Sequence, residues 1–456
     1  MQKIHAALLV GGVSAGILLA CYAFFFHGRI AGPEGDGVRW NELAISFASG
    51  TGLTPPNLPH VVDREPFYAV FAGTVYWFFG SHVSYVLLAQ SALLVLALAA
   101  LTWVLVPVMG VYAAAAVSLA TIAAPGVASL AVGSLLAETV ALTVSIAAYI
   151  VFTSILVRRD WYQGMFIGGV AFGALALTRY IFYPLPIFLV AGVLALKNRL
   201  GIENPGRIAV WLMAGFLVPV MLWTAYISMT LGVLAPVGTK GGAELALNMH
   251  RAQLSGKNLL AFTVGAVLGD AAGRFLFSGY AQNVEPYFTA GLVLKEYDEN
   301  LIKDGQSVSV NASASRQAIR YMFLHPLRFG VVGVSEFFIR NSPMLWHNAA
   351  DMRHLFAESH TEIPRWFRIA SVALYRLVFI GVVLFALFVA LYVLFRPGIS
   401  AYLLFPAVAV LSVNALHFFF DSVPRHALPL YPFYFLLCAY GIRSAWLPRQ
   451  LGTKSL

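Results

Sequence analysis

Residues 84–107 read SYVLLAQSALLVLALAALTWVLVP. The stretch holds no charged side chain and one amide, Gln90. A helix needs about 20 apolar residues to cross the hydrocarbon core of a bilayer. Working outward, windows of that kind recur near 6–26, 84–107, 109–128, 138–157, 163–179, 181–196, 208–230, 369–395, 399–418 and 427–443. The window at 181–196 is short and carries Pro184 and Pro186. Across all 456 residues, 60% are hydrophobic and 11% charged. Soluble chains carry roughly 45–50% apolar and about 25% charged residues. A soluble enzyme, a disordered chain and a secreted disulfide scaffold are therefore excluded. A transmembrane β-barrel would alternate apolar and polar residues over about ten positions, whereas these runs are near-continuous. The reading is an all-α polytopic integral membrane protein, a bundle of about ten transmembrane helices.

Charge gives an expected orientation. The net charge is +9. In a soluble chain this would suggest nucleic acid, but in a membrane protein basic residues hold short loops in the cytoplasm. With Lys3 inside, alternation places Arg158, Arg159, Lys197, Arg199, Arg207, Arg396, Arg443, Arg449 and Lys454 on the same side. Both termini are then cytoplasmic. The turn at 106–111 is on that side too, without a charge. Residues 66–80 are apolar but too short to span upright. Counting them would reverse every later loop, so they read as a helix at the outer interface. Residues 27–83 then form a first periplasmic loop and 231–368 a long periplasmic region, both with interfacial helices: WNELAISFASG (40–50) in the first and HPLRFGVVGVSEFFIR (325–340) in the second. One domain over 1–456 is expected, with no separate soluble domain. The run LLAC ending at Cys21 faintly resembles a lipoprotein cleavage site, but the following aromatics favour an uncleaved span. Cys21 and Cys438 lie in apolar runs and imply no disulfide framework.

Ionisable residues near helix ends in a membrane are costly unless hydrated, paired or snorkelling. In this topology Asp36, Arg64, Glu65, Glu138, Arg179, His417, Asp421, Arg425 and His426 fall at similar depth near the outer face. That pattern points to one polar cavity. Plainer roles compete for each. Asp36 and Glu138 suit the positive end of a helix dipole. Arg64 and Glu65 can pair with each other. Arg179, Arg425 and Arg376 can snorkel to headgroups. Together, however, carboxylates can act as a general base or hold a divalent cation, magnesium or manganese. Arginines can clamp a phosphate. Carboxylate plus arginine beside lipid is the set needed to transfer a group off a lipid phosphate. Walker, HExxH and haem motifs are absent. His347, His354 and His360, with Asp351 and Glu358, lack zinc spacing. Asn311-Ala312-Ser313 matches a glycosylation acceptor.

Seven elements in order give a resemblance: GDGVRWNELAISFASGTGL (35–53), DREPFYAVFAGTVYWFFG (63–80), APGVASLAVGSLLAETVAL (124–142), LALTRY (175–180), GFLVPVMLWTAYISMTLGVLAPVGTKGG (215–242), HPLRF (325–329) and PRHALPLYP (424–432). The chain resembles polytopic glycosyltransferases of the GT-C fold, in particular bacterial relatives of the aminoarabinose and protein-mannosyl transferases. The resemblance implies an extracytoplasmic active site in the bacterial inner membrane, facing the periplasm. It implies a polyprenyl-phosphate sugar donor and a glycan, lipid or protein acceptor. It maps the catalytic base onto Asp36 and a second acidic residue onto Glu138; beside these catalytic candidates, Arg64, Glu65, Arg179, Asp421 and Arg425 are the expected substrate-binding residues. The usual acidic pair of the first loop is Asp36-Gly37 here, the Pro-Trp element is split as Pro219 and Trp223, and Tyr180 follows Arg179. Two other classes compete. A polymerase or ligase of lipid-diphosphate glycans would carry similar outer arginines. A transporter or flippase would place charges at mid-membrane in paired halves, and no internal repeat is evident.

Overall fold

The computed structural model describes residues 1–26, 33, 36–53, 64–124, 126–158, 163–232, 241–287, 307–341, 365–396, 400–419 and 424–450. Every regular element among them is a helix. Among the described residues six helices are long and apolar enough to cross a membrane: Gln2–Ala23, Val83–Met109, Ala137–Val157, Tyr180–Leu200, Pro205–Thr230 and Ala373–Phe395. The total is eight if each of two bent helix pairs is one span. The chain is a multi-pass membrane protein. Two of the ten expected windows form shorter apolar helices, Gly164–Thr178 and Ala401–His417. The window near 109–128 is split between Val111–Ala123 and Val127–Gly133.

In chain order, α1 is Gln2–Phe26, α2 Asp36–Ala48, α3 Pro66–Phe79, α4 Val83–Met109, α5 Val111–Ala123, α6 Val127–Gly133 and α7 Ala137–Arg158. Then come α8 Gly164–Thr178, α9 Leu185–Leu200, α10 Pro205–Leu231, α11 Gly241–Ala252, α12 Gly256–Leu268, α13 Asp270–Leu276 and α14 Tyr280–Asn283. The last are α15 Ser307–Leu324, α16 Pro326–Arg340, α17 Arg365–Phe395, α18 Ala401–His417 and α19 Tyr431–Gln450. The short helix expected from residues 66–80 is α3, which has Pro66 at its first turn and ends at Gly80. The segment HPLRF opens α16, which meets the end of α15 at 111°.

Small residues set the closest helix contact. A Cβ at Gly215 of α10 would lie 2.0 Å from the Phe166 carbonyl oxygen of α8, and one at Gly169 would lie 2.1 Å from that of Leu212. Neither position has room for a side chain, so the two backbones touch, as small residues allow between membrane helices. One turn on, Pro219 packs where a Cβ at Gly173 would come within 2.3 Å. The split Pro-Trp element therefore has two tasks. Pro219 keys into α8, and buried Trp223 stacks on Tyr226 at 5.4 Å beside Leu177. This contact fixes the end of α8, where Arg179 follows.

A main core runs through α1, α4, α5, α7, α8, α18 and α19. A second core gathers α11, α12, α15 and α16 around Phe262, Tyr280 and Phe329. At its centre Arg251 meets Glu336 at 2.5 Å, with both side chains sealed from solvent. Arg251 also bonds Asn248 and the Tyr287 carbonyl, so all three of its nitrogens are used. A buried ion pair survives desolvation only with such full hydrogen bonding.

Candidate active site

Five chain segments converge on one ionic cluster. Asp36 opens α2, whose buried face carries Trp40, Leu43 and Ala44. Gly37 lets α2 begin beside Leu135, whose carbonyl oxygen would be 3.4 Å from a Cβ there. This places Asp36 next to the start of α7, where Glu138 sits in the first turn. Arg64 and Glu65 lie just ahead of Pro66 at the start of α3. Arg179 terminates α8 in extended conformation. Arg425 belongs to the 3-10 turn Pro424–Leu430 ahead of α19. That turn is tied to α7 by the Ser145 hydroxyl, which donates to the Pro429 carbonyl at 2.9 Å.

The pairings are specific. Arg64 Nη2 reaches Asp36 Oδ1 at 2.5 Å. Arg425 Nη2 donates to the other oxygen, Oδ2. Arg425 Nε also lies 2.9 Å from Glu138 Oε1, an ion-pair contact without hydrogen-bond alignment. Arg179 Nη2 donates to that same Oε1. Arg425 thus bridges the two carboxylates. Glu138 is fully buried, and its second oxygen, Oε2, has no hydrogen-bond partner. Glu65 does not pair with Arg64. Its Oε1 accepts from the Tyr180 backbone N–H at 3.3 Å, while the Tyr180 hydroxyl donates to the Arg64 carbonyl at 3.4 Å. Among the described residues the cluster therefore sets three arginines against two carboxylates, with Glu65 held alongside through Tyr180.

Electrostatics follow from this arrangement. Burial opposes the charge on Asp36, but Arg64, Arg425 and Arg179 outweigh it and hold its carboxyl at about 2. Asp36 is thus ionised at neutral pH and a weak base while both arginines grip it. His426, next to Arg425, is held well below the ordinary imidazole range by burial and by Arg179, His417, Arg425 and Arg340. It stacks on His417 at 5.8 Å.

Of the residues expected from sequence, Asp36, Arg64, Glu65, Glu138, Arg179 and Arg425 come together. Asp421, and the region holding His347, Asp351, His354, Glu358 and His360, lie outside the described residues. Arg376 does not snorkel. It is buried and donates to the Gly265 and Ala266 carbonyls near the end of α12, where the helix dipole favours a cation. Among the described residues no three His, Cys, Asp or Glu side chains converge as metal ligands do. Asp36 and Glu138 are turned to arginines instead.

Supporting residues escaped the sequence reading. Gln90 of α4 is buried and donates to the Ala131 and Ser134 carbonyls at 2.9 and 3.1 Å. It also accepts from the Tyr68 hydroxyl at 3.2 Å. Tyr68 meets Trp40 edge-on at 5.2 Å, and Arg64 lies 5.8 Å over the Trp40 ring. This chain orients α2 and α3 against the segment leading to Glu138. An amide inside an otherwise apolar span was the available signal.

No protein-family model matches the chain. No curated protein matches it either. Among solved structures, it is similar to the crystal structure of ArnT from Cupriavidus metallidurans bound to undecaprenyl phosphate. That similarity has 16% sequence identity and a TM-score of 0.41, and covers 97% of this chain and 81% of that one.

Proposed function

We propose that this protein is a membrane glycosyltransferase that moves a sugar from a polyprenyl-phosphate donor to an extracytoplasmic glycan, lipid or protein acceptor. The observation that carries this reading is Asp36, held between Arg64 and Arg425 beside a buried carboxylate bridged to Arg425 and Arg179. Three guanidinium groups are fit to hold a phosphate, since each offers a planar fork of donors. The carboxylate among them is fit to take a proton.

The chemistry balances on these groups. The acceptor hydroxyl gives its proton to Asp36. Its oxygen forms a bond to the anomeric carbon of the sugar. The bond from that carbon to the phosphate oxygen breaks, and polyprenyl phosphate leaves with the electron pair. Arg64, Arg179 and Arg425 stabilise the charge that grows on the leaving phosphate. A donor phosphate also competes with Asp36 for Arg64 and Arg425. Its arrival relaxes their hold on the carboxylate and raises the basicity of Asp36 when substrate is present. Glu138 keeps Arg179 and Arg425 oriented while this exchange takes place. Glu65, through Tyr180, fixes the segment that carries Arg179.

The test is donor binding and turnover in purified protein. Arg179→Gln should weaken binding of a polyprenyl phosphate in phosphatidylcholine nanodiscs by tenfold or more. Unchanged affinity would remove the arginines from the donor site.

A further inference from the structure

Among the described residues two arginines, Arg251 and Arg340, are completely buried, and they are treated in opposite ways. Arg251 has a carboxylate partner and hydrogen bonds on every nitrogen. Arg340, the last residue of α16, has neither. Its Nη1 donates to the Val413 carbonyl at 3.3 Å and to Asn414 Oδ1 at 3.2 Å. Its Nε and Nη2 are buried without any hydrogen-bond partner. Among the described residues it forms no ion pair.

A buried guanidinium left uncompensated is strongly destabilising, and the surroundings fix it without neutralising it. Asn341 Nδ2 donates to Asn414 Oδ1 at 3.0 Å, Asn414 Nδ2 donates to the Tyr434 hydroxyl at 2.9 Å, and that hydroxyl donates to Asn341 Oδ1 at 3.0 Å. This closed ring of neutral groups holds the Arg340 site rigid. The Tyr431 hydroxyl is also buried and also without a hydrogen-bond partner, and its ring lies 6.4 Å from that of Tyr434. The stacked imidazoles of His417 and His426 stand between α18 and the Arg425 turn.

We infer that Arg340 anchors a second oxyanion subsite, separate from the Arg64–Arg179–Arg425 cluster, that takes a phosphate or carboxylate group of a substrate. Arg340 Nε and Nη2 are the donors that an oxyanion would satisfy. The group has two sources of the same chemistry: an anionic acceptor, or the second phosphate of a lipid diphosphate. The inference extends the transferase reading but does not depend on Asp36 being a base.

The experiment uses the full chain in phosphatidylcholine nanodiscs. The arginine cluster is first saturated with polyprenyl phosphate, and inorganic phosphate is then titrated while melting temperature and phosphorus NMR are followed. Wild type should take up one further equivalent of phosphate per chain and gain several degrees. Arg340→Met should lose that gain while still binding polyprenyl phosphate. Without ligand it should melt at or above wild type, because a buried unpaired charge has become an apolar side chain of similar length. Equal phosphate gains in wild type and Arg340→Met would overturn the subsite. So would a wild-type chain that takes up no second equivalent, which decides the matter even if Arg340→Met fails to fold. A polyprenyl diphosphate that blocks the inorganic phosphate would place the source on the donor. One that leaves it unaffected would place the source on the acceptor. Failure of the donor reading shows separately, as polyprenyl phosphate binding that ignores Arg179→Gln.

Discussion

Arg425 shows how much of this site depends on side-chain shape. Its Nη2 and Nε reach two different carboxylates, Asp36 and Glu138. A lysine carries the same charge on a single point and cannot span both. Arg425→Lys should therefore lower donor turnover at least tenfold while leaving expression intact, measured as release of free polyprenyl phosphate. Full activity would show that charge alone suffices. pH dependence also resolves to named residues. Asp36 is held at about 2 in the fold, against about 3.9 in an unfolded chain. Its contribution to stability is complete above about pH 4 and disappears as pH falls through about 2. His426 works in a higher window. Its depressed value means that the unfolded chain binds the proton more readily. Stability is then full above about pH 6.5 and falls on acidification, by at most about 1.4 kcal/mol per pH unit from one imidazole. The melting temperature should drop between pH 7 and pH 5, and His426→Gln should flatten the drop. Equal slopes would contradict the assignment. The carboxylates and arginines were readable in sequence because charge is scarce in an apolar chain. Their partners were not: Arg64 sits beside Glu65 in sequence yet pairs with Asp36, a choice made by the placing of α2 and α3.

Among elements, the α8–α10 contact governs the position of Arg179. A Cβ at Gly215 would meet the Phe166 carbonyl oxygen at 2.0 Å, whereas one at Gly206 on the same helix would meet nothing within 4 Å. Gly215→Ala should force the helices apart and cost about 2 kcal/mol. Gly206→Ala should be neutral or slightly stabilising, since alanine is the better helix former. Melting temperatures of the two variants test this directly, and equal values would mean that the close approach is not a constraint. Runs of apolar residues announced most helices, but not where they break. Ala124 and Gly126 divide a window that reads as continuous, and the window near 427–443 begins as a 3-10 turn before α19. Hydropathy records burial from water, while breaks are set by backbone geometry and tertiary contacts. The Gly169 and Gly215 contact was hidden for the same reason: glycines are frequent in membrane helices, and spacing alone does not say which ones face a neighbour.

For the whole molecule, the basic loops support a proposed orientation. We propose that both termini are cytoplasmic and that the ionic cluster lies at the opposite face. In a chain whose Cys21 and Cys438 are replaced by serine, Ser81→Cys should react with an impermeant maleimide in intact cells and Asn204→Cys should not. The reverse pattern would invert the topology. The all-helical membrane class was legible from composition, because 60% hydrophobic and 11% charged residues leave few other folds. The buried Arg340 and the Arg251–Glu336 pair were not, since nothing in a linear sequence distinguishes a sealed arginine from one at a headgroup. Whether Asp36 acts as base in the proposed transfer of a sugar off a lipid phosphate is decided by incubating purified protein with a panel of polyprenyl-phosphate sugars and acceptors and measuring free polyprenyl phosphate. Wild type should release it, and a folded Asp36→Asn variant should lose at least a hundredfold of that release. Asp36→Asn turning over at the wild-type rate would remove Asp36 as the base, and a wild type inert toward every polyprenyl-phosphate sugar would overturn the transfer.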